Sequence, residues 1–205
     1  MDTQLYRPRQ PVFWGDYGSI LMRGLHGPRD EQTGQVVLKR AAPFAPPIIF
    51  TIGGLGFVVL VTQTFRDKLC AAGFGDLHFR PTIKKHIVSI LWQHWDRHTR
   101  LPPEIPQSGE PEDYILGQPH SEQAASEMEP IWELVAPVVD CEIKKRERLG
   151  QTYYRWYLTR PQGPHRGLFR PPSDDAHVLF VDAAGRQWFE REAGEWVGFE
   201  EVSIV

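Results

Sequence analysis

His94, Asp96 and His98 form the densest set of metal-competent side chains in the chain. On a helix, two histidines four residues apart share a face and can hold zinc. With Asp96 between them, such a centre would suit a metal-dependent hydrolase or transferase. The segment WQHWDRHTR, however, lacks the glutamate of an HExxH motif, and the run before it reads as strand. In a strand the two imidazoles lie about 13 Å apart, too far to share one ion. The competing reading is a polar strand end with exposed histidines. His120, Ser121 and Glu122 offer a base, a nucleophile and an acid side by side. A triad needs side chains converging from different segments, so adjacency argues against it. Ser121 as a helix N-cap accounts for the same residues. Gly53-Gly54-Leu55-Gly56 invites a phosphate-loop reading, but a strand-like run, Phe57 to Val61, follows where a helix N-terminus is needed. A glycine turn between strands is the better description. Cys70 and Cys141 are far apart, without CxxC spacing, and Cys70 falls on the apolar side of a predicted helix. The reading therefore assigns no catalytic residue, no metal site and no cofactor.

The elements around these residues follow from periodicity. Residues 10–25 read as strand and turn, and Val36–Lys39 as a short strand. Ile48–Ile52 and Phe57–Val61 read as a hairpin. Thr62 is a candidate N-cap for a helix over 63–72, with Phe65, Leu69 and Ala72 on its buried face and Gly73 as its stop. Ile83–Trp95 is apolar on both sides in part, which predicts a central strand. Ser121 caps a predicted helix over 122–134, with Ala125, Met128 and Trp132 inward. Val138–Lys144 and Tyr153–Thr159 are strand candidates. Toward the C-terminus come a strand over 177–181, Asp182 as N-cap, a helix to about Ala193 and a strand over 195–204.

Two of these stretches match. VVLVTQTFRDKLCAAGFGDLHF, residues 58–79, aligns without a gap onto VLFVDAAGRQWFEREAGEWVGF, residues 178–199, at an offset of 120. Val58 falls on Val178, Val61 on Val181, Arg66 on Arg186 and Phe79 on Phe199. A repeated β-α-β unit is scaffold rather than chemistry, and it points toward a surface that binds something.

Charge is segregated. The net charge is only −3, yet residues 101–142 hold ten acids and no Lys or Arg, while 144–170 hold eight basic residues and one acid. Segregated charge speeds encounter and selects partners more than it raises affinity. No nucleic-acid motif accompanies the basic stretch. The most apolar window, Pro46 to Val61, is too short and too rich in Pro and Gly to span a bilayer. The N-terminus carries no apolar h-region, so the expected location is the cytoplasm. The seven Trp include large candidate anchors for an interface.

The stretch from Ala42 to Asp96 runs through PF-PP, the strand VVLVT, the helix FRDKLCAAGF, LHFRPTIKKHIV and WQHWD. It resembles the immunity proteins of bacterial polymorphic-toxin and contact-dependent systems, the family numbered eleven first and the family numbered forty-three second. EPEDYILGQPHSEQAASEMEPIWEL is similar to the connector and helix of such chains. A branch of related chains carries paired CxxCG motifs, which are absent here. The resemblance implies a protein that binds one cognate toxin domain and blocks it.

The expectation is an α+β fold: two similar β-α-β modules with mixed sheets and an acidic helical connector. It is a single globular domain or two lobes, with an N-terminal module over 1–100, the connector over 101–143 and a C-terminal module over 144–205. The expected partner is a toxin domain, not nucleic acid or membrane, and the oligomeric state is open. Glu110, Glu112, Asp113, Glu122, Glu127 and Glu129 are the expected charge contacts, with Tyr114 and Trp132 as anchors. An adaptor of a secretion apparatus, or the metal-dependent enzyme above, is the alternative.

Overall fold

The computed structural model describes residues 4–26, 28–53, 56–74, 76–148, 151–159, 161, 167–172 and 178–204. In chain order the elements are β1 (Leu5–Arg9), α1 (Asp16–Arg23), β2 (Leu25–His26), β3 (Val37–Ala42), β4 (Ile48–Gly53), β5 (Gly56–Thr62) and α2 (Gln63–Ala72). Then come β6 (His78–Pro81), β7 (Ile83–Ser89), α3 (Asp113–Leu116), α4 (Glu122–Glu127) and β8 (Ile131–Val135). The chain closes with β9 (Ile143–Arg148), β10 (Gln151–Leu158), β11 (Leu168–Phe169), β12 (Phe180–Asp182), α5 (Ala183–Ala193) and β13 (Gly198–Ile204). The fold is α+β with mixed sheets, in two compact units. Among the described residues no helix is long and apolar enough to cross a membrane.

One unit comprises residues 1–10, 68–78 and 135–205. Its six-stranded sheet runs β11-β12-β1-β13-β10-β9. β1 is antiparallel to both β12 and β13, so β12 and β13 run parallel with β1 between them. The core under this sheet includes Leu5, Leu158, Phe169, Phe180 and Val202. Asp182 caps α5: its carboxylate accepts from the Gly185 N–H at 2.7 Å and from the Gly167 N–H at 3.2 Å. Gly167 has φ +76°, and a Cβ there would stand 2.3 Å from the Phe74 ring, so only glycine fits.

The other unit comprises residues 11–67 and 79–134 and carries two sheets, β4-β5-β8-β6 and β2-β3-β7. β4 and β5 form the expected hairpin, paired from Ile48↔Val61 to Gly53↔Gly56; Gly54 and Leu55 lie outside the described residues. β5 pairs antiparallel with β8, which separates it from β6. Both copies of the repeat are thus split: each β-α-β unit holds a strand from elsewhere in the chain between its own two strands. The element starts keep the offset of 120, at Gln63 and Ala183 for the helices and at His78 and Gly198 for the second strands. Thr62 caps α2 through the Phe65 N–H, as Asp182 does for Gly185.

Several expectations differ from the structure. Residues 16–23 are helical, with Gly18, Leu21 and Met22 inward. A short apolar run cannot by itself distinguish helix from strand. Gly18 lets that helix close on Phe13, whose carbonyl oxygen would stand 1.9 Å from an added Cβ. The helix expected over 122–134 ends at Glu127, because Pro130 pushes its predecessor into extended backbone. The apolar run beyond it becomes β8. β7 is not central. Among the described residues it pairs with β3 alone, in parallel, at the end of a three-stranded sheet, and after Ser89 the chain turns into a 3₁₀ turn at Trp92–His94. Cys70 faces outward, whereas Cys141 is buried. The buried face of α2 is Phe65 and Leu69 alone.

The free edge of β7 fastens the acidic connector. The Ile87 N–H donates to His120 Nδ1 at 2.9 Å, and the Ile87 carbonyl accepts from the Ser121 N–H at 2.7 Å. His86 Nε2 lies 2.9 Å from the Ile115 carbonyl and 3.1 Å from that of Gln118. Lys84 Nζ donates to the Ala125 carbonyl at 2.7 Å and to that of Met128, closing the C-terminal end of α4. An edge strand that would otherwise template association is covered in this way.

Candidate functional site: an acidic cleft with an aromatic floor

A cleft of about 420 Å³ opens where the end of β7 meets the Pro-rich loop after Leu101 and helix α3. Trp95 and Tyr114 line it, their ring centroids 6.2 Å apart. Behind them the aromatic packing continues: Trp14 lies 5.8 Å from Trp95, and Tyr17 lies 6.1 Å from Tyr114. Trp14 adopts φ +53°, a conformation unusual for a bulky residue, and its indole N–H donates to Thr99 Oγ1 at 3.2 Å. Strain of this kind persists only where the surrounding packing over-determines it.

Two tyrosine hydroxyls hold the loop that forms the cleft's outer wall. Tyr114 donates to the Glu104 carbonyl, and Tyr17 donates to the Gly109 carbonyl at 2.7 Å. Burial, then the neighbouring Tyr17 hydroxyl and Glu104 carboxylate, push the Tyr114 phenol up to about 12. Glu104 and Asp113 place carboxylates on the lining, and exposed Glu110 and Glu112 belong to the same acidic segment. Leu91 and Ile105 also line the cleft, and they are 54% and 44% exposed. Leu101 and Leu116, in the same loop and helix, are 51% and 55% exposed. Exposed apolar side chains rimmed by charge are the usual signature of an interaction surface.

The residues expected as contacts divide into groups. Glu110, Glu112 and Asp113 stand at or beside the cleft, with Asp113 partly covered. Tyr114 is 4% exposed and its hydroxyl is engaged, so it forms the floor and is not a projecting anchor. Glu122 and Glu127 are exposed on α4, where Gln123 donates to Glu127 at 2.8 Å. Glu129 accepts from the Thr64 N–H at 2.8 Å and so serves the first turn of α2. Trp132 is half-buried, its indole N–H donating to Gln63 at 2.7 Å with the Arg66 guanidinium over its ring. Glu129 and Trp132 thus hold their own unit together.

The remaining chemical candidates resolve into structure. His94, Asp96 and His98 are all exposed, and Asp96 Oδ1 accepts from the His98 N–H at 2.9 Å, forming a turn rather than a strand end. Among the described residues no group of three His, Cys, Asp or Glu is placed to hold a metal ion. His120 serves the β7 edge, and Ser121 Oγ accepts from the Ala124 N–H at 3.1 Å as the cap of α4. Burial and Asp140 push the Cys141 thiol up to about 11, away from a nucleophile's range. The residues that sequence reasoning passed over are Leu91, Glu104 and Ile105, while Trp95 was one of several tryptophan anchors among which it could not choose. Of the residues passed over, Ile105 left a signal: it and Leu101 are isolated apolar residues in a polar, Pro-rich loop that has no strand or helix to bury them. No family model, curated protein or solved structure matches the chain.

Proposed function

We propose that this chain is an immunity protein: it binds a cognate toxin domain through the acidic cleft face and neutralises it by occlusion, in the cytoplasm of the cell that makes it. The observation that carries the binding reading is the conjunction, on one face, of a preformed cleft, exposed leucine and isoleucine side chains, and carboxylates without a neighbouring Lys or Arg in the segment. Such a face attracts a basic protein surface and then buries apolar area against it. The resemblance of residues 42–96 to toxin-immunity families supplies the neutralising role. The engagement of Asp96 in a turn, of His120 at a strand edge and of Ser121 in a helix cap favours a binding protein over an enzyme.

The test is a rescue assay. The C-terminal domain of the protein encoded immediately upstream is expressed in a heterologous bacterium with and without this chain, and the two are then co-purified. Restored growth together with a stable complex is the expected result. Toxicity that this chain does not relieve would overturn the neutralising role.

A further inference from the structure

We propose that the cleft is the receptor for a single arginine side chain of the partner, inserted between the Glu104 and Asp113 carboxylates and stacked on the Trp95–Tyr114 floor. This assignment rests on the protein-binding reading and specifies its central contact. The volume, about 420 Å³, lies at the lower end of the ~300–1,000 Å³ range of ligand pockets, so it suits a side chain rather than a helix. Its lining selects charge. The two lining residues whose side chains are charged at neutral pH, Glu104 and Asp113, are both acidic, and residues 101–142 contain no Lys or Arg. An anionic occupant meets repulsion, and a purely apolar one would desolvate two carboxylates without return.

Between the two basic side chains, the lining favours arginine. A guanidinium is planar, weakly hydrated, able to bond carboxylates through a rigid fork, and able to stack on an aromatic face. The chain itself shows this preference, with Arg66 over Trp132 at 4.1 Å and Arg186 over Tyr6 at 4.6 Å. Gln118 and Ser89 are also among the lining residues and add polar character. The two tyrosine bonds fix the outer wall beforehand, so little ordering is required on binding. Leu91 and Ile105, which line the cleft half-exposed, would exclude water from the charged contact, as near-neutral residues do around an interface anchor.

The experiment needs no partner. N-acetylarginine amide is titrated into the full chain while the indole N–H resonances are followed by NMR, with the lysine, citrulline and glutamate amides alongside. The expected result is a saturable shift of the Trp95 resonance with arginine and none with citrulline, which has the same shape without the charge. Glu104→Gln and Asp113→Asn should each weaken binding about threefold, the scale of a partly exposed ion pair. Glu104→Gln keeps the backbone carbonyl that accepts from Tyr114, so its fold serves as the control. Equal shifts by citrulline, or titrations unchanged in both variants, would overturn the proposal. Lysine binding as tightly as arginine would overturn the choice of guanidinium. Sedimentation of the free chain checks whether a second copy fills the cleft; a dimer abolished by Glu104→Gln would replace the partner's arginine with one of its own. Failed titration with intact rescue would sink the cleft assignment alone, whereas arginine binding without rescue would sink the toxin reading alone.

Discussion

Arg66 and Arg186, 120 residues apart, do the same thing in the two copies of the repeat: the Arg66 guanidinium lies 4.1 Å from the centroid of the Trp132 ring, and that of Arg186 lies 4.6 Å from that of Tyr6. The aromatic partners are themselves equivalent. Trp132 pairs with Val61 and Tyr6 with Val181, again 120 apart, and the next pairs are Thr62↔Ile131 and Asp182↔Leu5. On the far side of the inserted strand, Thr82 donates to the Ile131 carbonyl while Val202 pairs with Leu5. The duplication therefore extends beyond the repeated segment to the register of a strand that the repeat does not contain.

Arg66→Ala should lower stability by about 1 kcal/mol, the scale of a partly desolvated cation–π contact. The side chain also lies 5.5 Å from the Phe79 ring. Arg186→Ala should cost less, since Arg186 stands in the open and already shares an ion pair with Glu190. Urea unfolding followed by Trp fluorescence checks both. An unchanged midpoint for Arg66→Ala would mean that the stacked pair is incidental.

A second prediction concerns the pair Arg29–Glu133, whose two bonds measure 2.9 and 2.7 Å. Glu133 is buried on β8, whereas Arg29 is about a third exposed. Removing Arg29 strands a buried carboxylate, and removing Glu133 leaves a cation that can turn to water. Arg29→Ala should therefore destabilise by about 3 kcal/mol and Glu133→Gln by distinctly less. Equal losses would contradict the asymmetry, and thermal unfolding of the two variants reads it directly.

Tyr114 makes a pH prediction. Its phenol holds the proton up to about 12 in the folded chain, against an ordinary value of 10. Between these values the folded state binds more protons than the unfolded one, so this group's contribution is full below pH 10 and is lost as pH rises toward 12. Two units correspond to roughly 2–3 kcal/mol. Arg40 opposes it: complete burial lowers its guanidinium to about 10, so stability gains from that group as pH rises through the same range. Tyr114→Phe isolates the first slope. Relative to wild type, the variant should lose less stability between pH 10 and 12, and identical curves would count against a buried phenol at the cleft floor.

Much of this was legible from local pattern. Thr62, Phe65, Leu69 and Gly73 marked α2 because capping and periodicity act within one helix, and Asp182 did the same for α5. The strand inserted into each copy was not legible, since Leu5–Tyr6 and Ile131–Trp132 lie far from the segments they split. Nor was the edge position of β7: the stretch from Ile87 to Trp92 is apolar in part on both sides and so reads as central, whereas the bonds that Lys84, His86 and Ile87 make to residues 115–128 leave no apolar periodicity. Of the site, the acids at 110–113 were visible as charge. Glu104, Trp95 and Leu91 were not, because a cleft joins segments that no local window contains, and Tyr114 read as an anchor because sequence cannot tell a floor from a rim.

The acidic face yields the last prediction. Glu110 and Glu112 are exposed and lie near the cleft without lining it. Their charge should act at long range, on encounter, rather than in the final contact. Glu110→Lys with Glu112→Lys should leave thermal stability unchanged and slow association with the toxin domain about tenfold at low salt. The difference should shrink above roughly 0.5 M salt, where the Debye length falls toward 3 Å. Dissociation should hardly change, because neither residue sits in the cleft, whereas Glu104→Gln should act mainly on dissociation. Stopped-flow association against ionic strength separates the two. Association insensitive to both salt and charge reversal would place the partner on another face, and a markedly faster dissociation would place Glu110 and Glu112 in the final contact.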